Sequence, residues 1–85
     1  MDLRQIRYFV AVAEEEHFGR ASERIRIAQP ALSRQIQLLE AELGVTLFDR
    51  LPRGVKLSVA GRTFLAHCSQ IMADLGHAVS ETQAV

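Results

Sequence analysis

The stretch AQPALSRQIQLLEAELG, Ala28 to Gly44, decides how this chain is read. Leu32, Ile36, Leu39 and Leu43 recur at spacings of four, three and four, which draws one apolar stripe along a helix. At about 100° per residue, Pro30, Ser33, Arg34, Gln37 and Ala41 fall on the opposite side. That side carries short polar groups, one Arg and one Gln, but no acid. An ordinary solvated helix face mixes Glu and Lys at i, i+4, and this one does not. Its residue types suit base edges and phosphates. Pro30 lacks a backbone donor and belongs in the first turn. Gly44 ends the helix, with Val45 placed for the apolar contact of a Schellman cap.

Upstream, Asp2 is a cap for a first helix, and Gln5 stands where a capping box is completed. Ile6, Phe9, Val10 and Ala13 give that helix its inner face. Glu14, Glu15 and Glu16 lie near its C-terminus, unfavourably for the helix dipole, and are expected to be a solvated patch. A short second helix is predicted from Phe18 to about Arg26, with Ala21 and Ile25 inward. Ala21 is small enough to let another helix cross closely.

Downstream, Leu47-Phe48 and Val55-Lys56-Leu57 flank Pro52, Arg53 and Gly54, the pattern of a β-hairpin. Arg50, Arg53 and Lys56 cluster on it, and an Arg at such a tip can reach a minor groove. Ser58 is placed to cap a fourth helix. Along it Phe64, Cys68, Ile71, Leu75, Ala78 and Thr82 keep a 4-3-4-3-4 rhythm, with Leu65, Met72 and Val79 beside them. From Ser58 to Val85 such a helix spans about 40 Å, more than the rest of so small a body can cover. Its leftover apolar stripe asks for a partner helix, most economically a second copy. The helix is expected to continue beyond Val85 into a larger protein.

Composition narrows the class. Eighty-five residues make one small domain, and 48% apolar content is rich for that size. The single cysteine cannot form an internal disulfide, and no run approaches the length of a membrane span. The reading is a soluble protein of a reducing compartment, bacterial or plastid-like cytoplasm, with no membrane contact. Formal net charge is zero, but it is unevenly spread. Residues 1–19 hold two Arg against four acids, residues 20–62 eight basic residues against four acids, and residues 63–85 two acids. Nine of the ten basic residues are Arg, the type suited to bidentate phosphate and guanine contacts.

Second helix, turn, third helix and hairpin together form a winged helix-turn-helix pattern. The segments FVAVAEEEHFGRASERIRIAQPALSRQIQLLEAELGVTLFDR and RGVKLSVAGRTFL resemble the N-terminal DNA-binding domain of LysR-type transcriptional regulators. Within them AQPALSRQI, LEAELG and LFDR carry the likeness. The implied fold is mainly α: a three-helix core with a short wing over residues 1–58, then a linker helix over residues 59–85. The resemblance implies that Gln29, Pro30, Ser33, Arg34 and Gln37 meet the major groove and its phosphates, and that Arg53 enters the flanking minor groove. Arg20 and Arg50 are read as further phosphate anchors. The implied partners are double-stranded DNA and a second copy of the chain. The pairing face is assigned to Phe64, Leu65, Cys68, Ile71, Met72, Leu75, Ala78 and Val79. The resemblance further implies tetramers of the full-length protein, interrupted palindromes as targets, bent DNA, and a small-molecule inducer held by a C-terminal domain. No cofactor is expected within these 85 residues.

Four positions depart from the family's usual residues. Ala28 stands where Ser or Thr is common and offers no side-chain cap. His17 replaces a frequent Ser, leaving the cap of the second helix open. Ser22 and Ser58 replace Ala and Thr. Two other functions were weighed. A helical protein–protein module fits the zero net charge and the apolar last helix. An enzyme has little support, because His17, His67, His77 and Cys68 show no ligand or nucleophile spacing.

Overall fold

The computed structural model describes residues 1–85. Its elements run α1 (Leu3–Glu15), α2 (Phe18–Ile25), α3 (Gln29–Leu43), β1 (Phe48–Leu51), β2 (Gly54–Leu57) and α4 (Val59–Gln83). Asp2 caps α1 by accepting the Gln5 N–H at 2.8 Å. The expected capping box stays half-made, because the Gln5 amide donates across to Gln35 Oε1 on α3 at 3.0 Å. α1 packs against α2, α3 and α4, so it buries more than one stripe. Ile6, Phe9, Ala11 and Val12 are buried, whereas Val10 and Ala13, expected inward, are half-buried.

Two left-handed residues turn the chain between the first three helices, Glu16 at φ 55° and Arg26 at φ 59°. Ala21 is fully buried where α2 meets its neighbours. Ser22 is buried too, and its hydroxyl donates to the Gly19 carbonyl at 2.8 Å. On α3, Leu32, Ile36 and Leu39 are buried and Leu43 is half-buried, the stripe drawn from the sequence. Burying each such side chain contributes about 1.5–3 kcal/mol. Ala28 provides no side-chain cap and Pro30 lies in the first turn. Gly44, at φ 71°, closes the helix, and the Gly44 and Val45 N–H groups both donate to the Glu40 carbonyl.

The wing is an antiparallel pair in which Leu51 faces Gly54 across a two-residue loop, Pro52 and Arg53. The strands are longer than the sequence suggested, since Asp49, Arg50 and Leu51 pair as well. Gly54, at φ 112°, sits so close to the Glu16 carbonyl that a Cβ would collide with it. That carbonyl accepts the Val55 N–H at 3.0 Å, tying the wing to the α1–α2 corner. Phe9 stacks at 5.4 Å from Phe48 and 5.0 Å from Phe64, and Phe18 meets Phe48 at 6.0 Å. Aromatic rings thereby join α1, α2, β1 and α4.

Ser58 caps α4 by accepting the Gly61 N–H at 2.9 Å. Phe64, Leu65 and Met72 pack on the chain's own core, and Cys68 is wholly buried in it. Cys68 therefore has no surface to offer a partner, which corrects its assignment to the pairing face. Burial also raises its thiol pKa and keeps it protonated. Further along, Leu75 is half-buried, and Ile71, Ala78 and Val79 are exposed. The helix thus divides into a core-bound first half and a projecting second half, and the molecule measures 49 × 26 × 19 Å.

Candidate nucleic-acid interface

The side of α3 opposite its stripe is open. Gln29, Pro30, Arg34, Gln37 and Ala41 are exposed and Ser33 is half-buried. Ser33, Gln37 and Arg50 line one depression together with Phe18 and Glu40. Gln29 and Arg50 line a second with His17, Gly19 and Gly54. Arg50 is common to both, and its guanidinium lies 4.7 Å from the centre of the Phe18 ring. α3 and the wing therefore form one continuous surface around Arg50. Arg34 and Pro30 line neither depression but are exposed on the same helix, and Arg53 stands at the tip of the wing.

Electrostatics separate the arginines into two groups. Ion pairs involve Met1, Arg4, Arg20 and Arg24. Arg34, Arg50, Arg53 and Lys56 are in none, so their charge is available to an external anion. The one acid at the edge of the α3 face, Glu40, is held back by the Leu47 N–H, which donates to Oε2 at 2.7 Å. The same bond fixes the start of the wing to α3.

Arg20 is placed otherwise than expected. Its guanidinium donates to the Glu15 carbonyl at 2.9 Å and stands 3.8 Å from the Glu15 carboxylate. Glu14 and Glu15 also hold Arg24, at 2.7 and 3.3 Å. The acidic run is solvated as expected, with Glu14 and Glu16 exposed, but Glu14 and Glu15 are also ion-paired because α2 folds back beside the end of α1. His17, whose capping was left open, does cap α2: its Nδ1 accepts the Arg20 N–H at 3.1 Å. The available signal was a polar ring one residue before Phe18.

The profile described as "Bacterial regulatory helix-turn-helix protein, lysR family" matches residues 3–62. The chain belongs to that family. It is a LysR-type helix-turn-helix DNA-binding domain with a two-stranded wing, and its relatives are transcriptional regulators rather than enzymes. The LysR-type domain is 48% identical over 83 residues to the HTH-type transcriptional regulator AlsR of Bacillus subtilis (strain 168), covering 98% of this chain and 28% of AlsR. It superimposes on the DNA-binding domain of BenM in complex with benA site 1 DNA with a TM-score of 0.94. Identity there is 45%, over 99% of this chain and 98% of that one. The CbnR DNA-binding domain in its DNA complex gives a TM-score of 0.91 at 40% identity, over 99% and 97% of the two chains. The LysR-type domain spans 28% and 37% of the length of AlsR and of TfdT, a second curated relative. No helix is long and apolar enough to cross a membrane.

Proposed function

We propose that this domain reads an interrupted palindrome in duplex DNA as one of two identical chains paired through α4. The observation that carries the reading is the exposed face of α3, where Arg34 is free of any ion pair and Gln37 shares a depression with the unpaired Arg50. Ser33, Arg34 and Gln37 supply hydrogen bonds to base edges in a major groove, Gln29 bonds at the groove's phosphate edge, and Pro30 packs on a thymine methyl. Arg50 neutralises a backbone phosphate and Arg53 enters the adjoining minor groove. Arg20 joins them only by exchanging Glu15 for a phosphate. In the full-length protein, pairs assemble into tetramers, a C-terminal domain binds a small-molecule inducer, and the whole acts on DNA in the bacterial cytoplasm.

Selection of bound duplexes from random DNA tests the reading directly. The expected result is two inverted half-sites at fixed spacing, with affinity falling steeply as salt rises. A flat salt response would favour a helical protein–protein module instead. Pairing is tested by Leu75→Glu, which sets a carboxylate among Ile71, Ala78 and Val79 of the proposed seam. Sedimentation should show weaker self-association, with palindrome binding reduced and single half-site binding retained. A variant that stays fully dimeric puts the seam elsewhere.

A further inference from the structure

The second depression contains a residue that the sequence did not assign to DNA. His17 Nδ1 accepts the Arg20 N–H at 3.1 Å. A ring nitrogen that accepts carries no proton, so this bond fixes the neutral imidazole with its hydrogen on Nε2. The chain's hydrogen bonds leave that Nε2–H without a partner, and the Gln29 amide is equally free. Arg50 forms the other side of the same depression, and no carboxylate lines it. Of the four depressions on the molecule, it alone combines an unpaired arginine with an acid-free wall.

One glycine leaves room for the ring and a second for the backbone that carries it. A Cβ on residue 19 would stand 2.8 Å from His17 Cε1 and 3.5 Å from Gln29 Oε1. A Cβ on residue 54 would meet the Glu16 carbonyl and lie 4.0 Å from His17 Cδ2. A larger residue at 19 would displace the imidazole, and one at 54 would collide with the Glu16 backbone next to it. Arg50 is itself held by the Phe18 ring, and the residues lining the depression come from three separate elements: the α1–α2 corner, the start of α3 and the wing.

We infer that His17 contacts DNA directly: with Gln29 and Arg50 it seats one backbone phosphodiester, its neutral Nε2–H donating to a phosphate oxygen. One fixed positive charge and two neutral donors match a singly charged diester with two acceptor oxygens. The inference rests on the DNA-binding reading above and adds a contact of a kind that charge counting cannot reveal.

His17→Ala and His17→Asn separate the cap from the contact, because Asn also caps a helix but has no donor at the Nε2 position. His17→Ala is expected to lower both Tm and affinity for the selected duplex. His17→Asn should restore Tm yet bind about tenfold more weakly than the parent at the same salt concentration. One methylphosphonate, placed in turn at each phosphate of that duplex, should cost the parent more than it costs His17→Asn at one phosphate of each half-site, where Gln29 and Arg50 still bind in the variant, and cost both proteins equally elsewhere. Full affinity of His17→Asn, or identical methylphosphonate profiles for both proteins, overturns the inference while leaving DNA binding intact. Failure to select any duplex overturns both. Saturation of the imidazole 15N shift by inorganic phosphate alone, at constant ionic strength, would assign the depression to a free anion instead.

Discussion

The α1–α2 corner and the α3–wing face are both rich in arginine, but they use it in opposite ways. At the corner, Arg20 and Arg24 are engaged by Glu14 and Glu15. Around α3 and the wing, Arg34, Arg50 and Arg53 have no acidic partner. A chain of zero net charge can therefore present a cationic surface, because none of its acids pairs with Arg34, Arg50 or Arg53, whereas Glu14 and Glu15 are engaged at the corner. Pairing, more than the count of charges, determines what an approaching polyanion meets.

Three substitutions probe this contrast. Arg34→Ala should have the largest effect, costing about 1–3 kcal/mol of specific binding and relaxing preference at one base pair, with the fold intact. Unchanged affinity at controlled salt would remove Arg34 from the interface. Arg50→Ala should weaken all sequences alike and lower the salt-dependence slope by about 1, as loss of one phosphate contact requires. If base preference changed instead, Arg50 would belong with the readers rather than the anchors. The smallest effect is expected when Glu14 and Glu15 are both changed to Gln, releasing Arg20 and Arg24. Affinity for unrelated duplexes should then rise by less than about threefold, because surface ion pairs are weak and screened. A larger gain would show that the corner lies within reach of the backbone.

Much of this was legible beforehand, for reasons that also explain the exceptions. The stripe of α3 is a local periodicity, and a helix with one apolar side has one way to face a core, so Leu32, Ile36 and Leu39 could be read directly. The Ser58 cap and the Gly44 stop are similarly local. What escaped depends on distant segments meeting. Gln5 finds Gln35 thirty positions away, and Arg24 finds Glu14 only after α2 folds back. Cys68 keeps the helical rhythm of its neighbours, but rhythm does not say whether the surface opposite belongs to the same chain or another. Here Phe9 of α1 packs against neighbouring Phe64, and Cys68 joins that same internal cluster. His17 was missed for a chemical reason: an imidazole caps a helix only in one protonation state, and composition carries no record of it.

The wing is fastened at two points, by the Val55 N–H to the Glu16 carbonyl and by the Leu47 N–H to Glu40. Helix and hairpin consequently behave as the two jaws of a caliper whose opening is set when the chain folds. A duplex that meets both must bring a wide groove and the narrow one beside it to that gauge, so stiffness or pliancy in the stretch between them becomes a quantity the protein measures without touching it.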